Sequence, residues 1–530
     1  MNRKKNFSRK FILVFFLILL AAGSIASQTY GNFSDQYNSR IKGFVTLNYI
    51  GEKIAPELTK KLSTGKDIQN IKEYRERIYG VAFEAPAALL EVTFGIKDQK
   101  KRYLFRNLLI FLINFIGLIF AYKIARLVFV NYKIPILFVI TLLLSPRMFS
   151  DMFYNSKDLV FSSILMIAVY YNLLFFKKNK LKYFLYFCLF SALATNVRLT
   201  GLILLFVFPI SILINSMLNK GGELKYLKSL RFYFLSFPIL YFFIIYIFWP
   251  FLWENPIQNF IFAFEGMSKY ARYDYSILYL GQYISPHDLP WHYTYLWIAI
   301  STPIIFILFF FLGVQFFFSE MLRAKLTRNN QYNIIFFFII FFTFFSIHFF
   351  KSTMYNGWRQ IYYIYPYILL IAFSGYVKIK SILNKKKINI INFLIIVYLA
   401  NIGYWIVKNH PNQSLYFNSF LLNKNFTIFF ESDYSGITNR QILDYLVKYD
   451  KKNNIVIYQG SKNSIYYSML MLDKVDRQRI KITKDYNKAN YVINHYNHPR
   501  SKFESKKELK IIFEVMVDGI PVNTLYKKKI

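Results

Sequence analysis

The chain has 530 residues, 55% of them hydrophobic and gathered into long apolar stretches, which excludes a soluble globular protein. Its 66 Lys and Arg against 28 Asp and Glu leave a net charge of +38. In a soluble protein that excess would suggest nucleic acid, but here it is spread through the connectors between apolar stretches, where it sets orientation and meets anionic lipid, so no nucleic-acid partner is expected. The single cysteine, Cys188, excludes an internal disulfide and a cysteine metal cage.

About eleven spans are predicted. The first, residues 11–27, follows Arg3, Lys4, Lys5, Arg9 and Lys10 and reads as an uncleaved helix, although its small-residue ending also fits a signal peptide. Residues 28–103 form an exported loop with amphipathic helices: Ile71, Tyr74, Ile78 and Phe83 fall at near-helical spacing, and Ala88, Leu89, Val92 and Phe94 follow Pro86. Such helices are expected to lie on the membrane surface. Further spans are predicted at 104–126, 134–145, 159–176, 183–196, 200–217, 231–250, 295–315, 333–350, 360–377 and 389–407. Lys/Arg-rich connectors fall on every second loop, as at Lys177, Lys178, Lys180 and Lys182 and again at Lys385, Lys386 and Lys387, and these belong inside. The N-terminus is therefore expected in the cytoplasm, and an odd number of spans puts the C-terminus outside.

The chain thus divides into a transmembrane domain, 1–407, and an exported segment, 408–530. Strand-like runs at 454–458, 490–493 and 510–516, the last leading into an Asp518-Gly519 turn, give that segment a small α/β domain. No internal repeat, P-loop or dinucleotide fingerprint is present, so energy for any reaction outside must arrive in the substrate.

The outer loops hold nearly every acid, His and Trp that could do chemistry. Asp35, just beyond the first span, could take a proton from an acceptor hydroxyl, or be a solvated loop acid or helix cap. The loop 145–158 carries Arg147 and Lys157 against the positive-inside bias, which points to an anionic group such as phosphate; snorkelling with local Asp pairing is the alternative. Arg106, Arg198 and Arg359 sit at the edges of apolar runs, where an ionisable group is costly and tends to be functional or paired, with Glu84 and Glu91 as available partners. In the loop 251–294, with Lys269, Arg272 and Asp274, the spacing of His287, Asp288 and His292 could seat a metal. An interfacial aromatic anchor around Trp291 is the stronger reading, so no metal site is assigned.

The exported acid after the first span, Tyr79-Gly80-Val81-Ala82-Phe83-Glu84, the SPRMF and FYNSKD runs, Pro290-Trp291-His292-Tyr293, Tyr355-Asn356-Gly357-Trp358-Arg359 and Tyr416-Phe417-Asn418 together resemble bacterial membrane glycosyltransferases of family 39. These are relatives of the protein O-mannosyltransferases and the lipid A aminoarabinose transferase, with the C-type glycosyltransferase fold. The resemblance spans most of the membrane domain and reaches the C-terminal segment. It implies a multi-pass protein of the bacterial cytoplasmic membrane that moves a sugar from a polyprenyl-phosphate carrier to a hydroxyl-bearing envelope acceptor; direct displacement at the anomeric carbon would invert its configuration. Asp35 matches the first-loop catalytic acid, although Gln36 replaces the second acid of the family's pair, and Asp158 resembles the other acidic position. Arg106, Lys157, Arg198 and Arg147 are the candidates for the donor phosphate; Glu84, Trp291, His292, Trp358 and Arg359 are those for sugar or acceptor. No cofactor is required, and a divalent cation has no support in the residues. A transporter or flippase is the rival reading, but it calls for charges and broken helices near the bilayer midplane, whereas the polar residues here gather at one face. A scaffold presenting the C-terminal domain is a third.

Overall fold

A computed structural model of the chain describes residues 2–57, 59, 68–218, 223–268, 275–322, 328–419, 425–460, 465–495, 503 and 505–529. Lys269, Arg272 and Asp274 lie outside them. The architecture is a polytopic helical membrane domain followed by a small sheet domain, as the hydropathy pattern predicts.

Among the described residues eight helices are long and apolar enough to cross a bilayer: Gln99–Val128, Asp158–Lys178, Leu199–Leu218, Tyr226–Phe248, Ile304–Leu322, Gln331–Phe349, Arg359–Ile382 and Lys385–Lys408. Lys133–Leu143 and Pro146–Tyr154 join as one stretch bent by 75°. The apolar helices Lys10–Ala26 and Leu181–Val197 are shorter than the roughly 20 residues of a full crossing. Eight helices thus reach spanning length where eleven spans were expected, yet all eleven predicted stretches are helical. The stretch 295–315 divides into Tyr293–Ser301 and Ile304–Leu322, because Pro303 disfavours the helical region at Thr302, whose backbone is extended.

Burial separates central from peripheral spans. Within Asp158–Lys178 and Arg359–Ile382, 78% of the apolar window is buried inside the protein, against 17% for Ile304–Leu322 and Lys385–Lys408. The central pair carries the polar ends that build the site. Ile304–Leu322 approaches Tyr365–Ile382 closely because both offer glycine at the crossing. A Cβ on Gly313 would stand 2.2 Å from the Ile371 carbonyl oxygen, and one on Gly375 2.6 Å from the Gly313 nitrogen.

The first loop, between the first helix and Gln99–Val128, is folded onto this bundle. Its main helix, Ser34–Ile54, is too polar to be read from hydrophobic spacing, and it buries Gln36, Ser39, Lys42 and Thr46. It crosses Glu84–Thr93 at Gly43, where a Cβ would stand 2.3 Å from the Glu84 carbonyl oxygen. Of the predicted amphipathic set, Ile71, Tyr74, Ile78, Phe83 and Ala88 are buried, while Leu89, Val92 and Phe94 are exposed.

A short hairpin, β1 (Ile277–Tyr279) with β2 (Gln282–Ile284), lies in the loop before Tyr293–Ser301. The C-terminal domain has β3 (Ile455–Gln459), β4 (Ile480–Thr483), β5 (Tyr491–His495), β6 (Leu509–Val517) and β7 (Ile520–Lys528), in the order β4-β3-β5-β7-β6. β3 runs parallel to β4 and β5, and β7 antiparallel to β5 and β6. Asp518 and Gly519, both at positive φ, make the expected tight turn, and the Asp518 carboxylate accepts from Trp405 Nε1 at 2.9 Å, tying the domain to the last span. Helix Thr438–Tyr449 packs Ile442, Leu443 and Leu446 beneath it.

Gly313→Val inserts a branched side chain where even one carbon has no room. It should destabilise the membrane domain by about 1–3 kcal/mol or more, read as a lower midpoint of thermal unfolding in detergent.

Candidate active site

Four segment ends deliver charge to one place. Asp35 lies in the first turn of helix Ser34–Ile54, where the helix dipole favours a carboxylate. Asp158 opens helix Asp158–Lys178, and its backbone N–H donates to Asn155 Oδ1 at 2.8 Å. Arg198 is the extended residue that closes helix Leu181–Val197. Arg359 follows Asn356 and Gly357, both at positive φ, so the chain turns sharply enough to aim it back at the first loop.

These residues form one continuous network. Arg359 Nη1 and Nη2 donate to Asp35 Oδ2 at 3.1 and 3.2 Å, and Nη1 also reaches Asp158 Oδ2 at 3.3 Å. Arg198 Nη2 pairs with the other Asp158 oxygen at 2.7 Å. Asn155 Nδ2 donates to Asp158 and to Asp151, both at 3.0 Å, and Tyr154 donates to Asp151 at 2.7 Å. The Arg359 guanidinium lies over the rings of Phe33 and Tyr355. Side-chain exposure is 34% at Asp35 and 18% at Arg198, but 3% at Arg359 and 1% at Asp158. Asp35 is therefore the carboxylate that an outside molecule can reach, and Asp158 holds two arginines in position. Burial pushes the Asp35 carboxyl up, but Arg359, then Lys157 and Arg198, outweigh it and hold the group below the usual carboxylate range.

Beside the network opens a cavity of about 490 Å³. Tyr79, Arg198, Tyr355 and Gln360 form its polar end, and Phe264, Phe342, Ile347 and Phe350 its apolar walls. Arg198 Nη1 donates to the Gln360 carbonyl at 3.2 Å, and the Lys157 ammonium stands over the Tyr79 ring, 4.7 Å from its centroid. Such a space suits a molecule with an anionic head and a hydrocarbon tail.

Of the residues picked from the sequence, Asp35, Asp158, Lys157, Arg198 and Arg359 converge here. Arg106 does not: fully buried, it pairs with Glu84 and faces Glu91 at 3.8 Å, so its charge is neutralised where the first loop docks and does not face a carrier phosphate. Glu84 is thereby withdrawn from sugar or acceptor as well. Glu91 also binds Arg40 Nε at 2.9 Å and Arg102 Nε at 3.2 Å. Arg147 is buried too, donating to the Tyr416 carbonyl at 2.9 Å with its guanidinium over Trp297 and Phe417. Trp358 is buried and donates to Ser301 at 2.8 Å, a structural contact. Trp291 is 73% exposed, and His292 bonds Tyr279 at 2.7 Å. Among the described residues no three of His, Cys, Asp or Glu converge as metal ligands, and His287 turns instead toward Thr353.

Sequence reasoning missed Asn155, which bridges the two buried aspartates, and Lys42, buried on helix Ser34–Ile54. Asn155 stands inside the FYNSKD run, so its place was visible; nothing in the polar stretch around Lys42 marks it out.

No family model and no curated protein matches the chain. Among solved structures, a crystal structure of ArnT from Cupriavidus metallidurans bound to undecaprenyl phosphate is similar over 97% of this chain and 97% of its own, at 12% identity and a TM-score of 0.46. At that level of similarity the chemistry of the site has to be judged from its own side chains.

Asp158→Asn removes the carboxylate that two guanidiniums share. It should cost about 3–5 kcal/mol of stability, the usual price of one missing partner in a buried pair, and appear as a lowered unfolding midpoint.

Proposed function

We propose that the chain is an integral membrane glycosyltransferase of the bacterial cytoplasmic membrane, transferring a sugar from a polyprenyl-phosphate carrier to a hydroxyl-bearing envelope acceptor on the extracytoplasmic side. The observation that carries this reading is the juxtaposition of one reachable, ionised carboxylate, Asp35, with cations at the mouth of an apolar cavity. The resemblance in the exported motifs points the same way.

The chemistry needs little more. Asp35 accepts the proton of the acceptor hydroxyl as its oxygen attacks the anomeric carbon from the face opposite the phosphate. The bond from that carbon to the phosphate oxygen breaks, its electron pair stays on the phosphate, and the configuration inverts. Arg198 and Lys157 stabilise the charge that grows on the leaving group, and the protonated Asp35 then returns its proton to water. A carboxylate held this low is a weak base, so proton transfer belongs with bond breaking and not before it. Arg359 orients Asp35, and the walls around Phe342 and Phe350 take the first prenyl units.

In detergent, where no gradient can drive transport, the wild type should transfer label from a polyprenyl phosphosugar to an envelope fraction. Asp35→Asn should reduce transfer by about 10³-fold or more while binding undecaprenyl phosphate as before; wild-type turnover in that variant would remove Asp35 from the role.

The pH profile supplies a second check. Because Arg359 is the principal cation lowering Asp35, its carboxylate stays charged down to below the ordinary range, and the acid limb of transfer should lie there. Arg359→Gln leaves burial less opposed, so that limb should move to higher pH; an unmoved limb would detach Arg359 from Asp35.

A further inference from the structure

Lys42 is an anomaly on the exported helix Ser34–Ile54. Its side chain is 3% exposed, and among the described residues its ammonium forms no ion pair and no hydrogen bond. An unpaired buried ammonium costs several kcal/mol, which a methionine of similar length would avoid. What it does contact is the Tyr79 ring, 5.3 Å from the centroid, the same ring over which Lys157 stands at 4.7 Å. Tyr79 and Arg198 in turn wall the polar end of the cavity. Two ammoniums on one ring repel each other, and among the described residues no carboxylate is bonded to either.

Arg198 and Arg359 are paired with Asp158 and Asp35, and Arg106 with Glu84, whereas Lys42 and Lys157 are two ammoniums with no bonded carboxylate among the described residues. Cations so placed hold a phosphate monoester with both protons lost more strongly than a singly charged diester. A lipid phosphosugar is a diester carrying one negative charge, and it becomes such a monoester only as the sugar leaves.

We infer that Lys42 is a phosphate-binding residue, which with Lys157 and Arg198 receives the phosphate of the lipid-borne donor. The inference rests on the donor reading above and adds a residue to it. With no anion bound, burial first and the Lys157 ammonium second push Lys42 down to about 8, against the pull of Glu84 and Glu76 and with a further push from Arg106. A bound phosphate reverses that balance and holds the proton on. Above pH 8 binding must first restore the proton, so affinity falls as pH rises; an arginine at the same place stays charged and shows no such fall.

The test measures binding of undecaprenyl phosphate, with uncharged undecaprenol as control, to the full-length protein in detergent. Lys42→Met should lose about tenfold to a hundredfold in affinity for the phosphate, the worth of one charge-assisted hydrogen bond, and nothing for undecaprenol; Lys42→Arg should retain it. Equal phosphate binding in Lys42→Met and wild type would overturn the role of Lys42 and leave the donor reading standing. Absence of phosphate binding in the wild type would overturn both. If Lys42→Met does not fold, the pH series decides: wild-type affinity should decline between pH 8 and 9 while that of Lys42→Arg stays level, and parallel curves would overturn the inference.

Discussion

Everything at the functional end of this protein hangs on one buried carboxylate. Asp158, 1% exposed, is shared by Arg198 and Arg359, and Arg359 passes on to Asp35. Ions leave water only when their partners are held in good geometry, so each member of the chain constrains the next. Four segments far apart in sequence, the first-loop helix, the start of one central span, the close of the helix after it and the start of the other central span, are pinned to one level. The order of exposure along the network then assigns the roles: the buried middle fixes geometry, and the half-open end, Asp35, meets the outside.

That this happens at helix ends follows from the membrane. Hydrocarbon tolerates only backbone whose polar groups are satisfied internally, so irregular segments must sit where protein or water covers them. Asn155 to Lys157, Arg198 and Asn356 to Gly357 are such breaks, two before the start of a helix and one at the close, and the ion pairs of Asp158 bring them together. Asn155 shows how a break is made safe: its side-chain oxygen accepts the N–H groups of Lys157 and Asp158, and its amide nitrogen donates to both aspartates. The C-terminal domain adds cover from the other side, since Tyr466 and Tyr467 pack on Tyr37 and Arg440 bonds the Tyr30 carbonyl. Tyr434 places its ring near Arg359 as well.

The spans were legible because apolar runs leave no alternative, and the charged residues at their edges were legible because nothing structural would put them there cheaply. Which of them pair was not. Arg106 and Arg198 look alike in sequence, each an arginine at the margin of an apolar run, yet one is neutralised by Glu84 and the other faces the cavity; only the docking of the first loop decides. That docking depends on helix Ser34–Ile54, whose buried face mixes Gln36, Ser39, Lys42 and Thr46 with Gly43, Val45 and Tyr49, a pattern too polar for apolar periodicity to reveal. In the C-terminal domain β3, β5 and β6 were foreseen, whereas β4 and β7 were not. Pro521 of β7 reads as a strand breaker, and it is accommodated where the register with β6 shifts, so β7 can still pair on both sides.

The proposed reaction gives the two unbonded ammoniums, Lys42 and Lys157, a use beyond binding. A site that merely held the donor would match one negative charge; cations that exceed this hold the leaving phosphate more tightly than the substrate. Only such a difference accelerates the chemical step. Lys42 suits the task because it is already desolvated, so no water has to be stripped from it as the charge develops. The same cations would hinder release of the spent carrier. Beyond its polar end the cavity is walled by Phe264, Phe342 and Phe350, and the lipid's own preference for the bilayer supplies the force that draws it out.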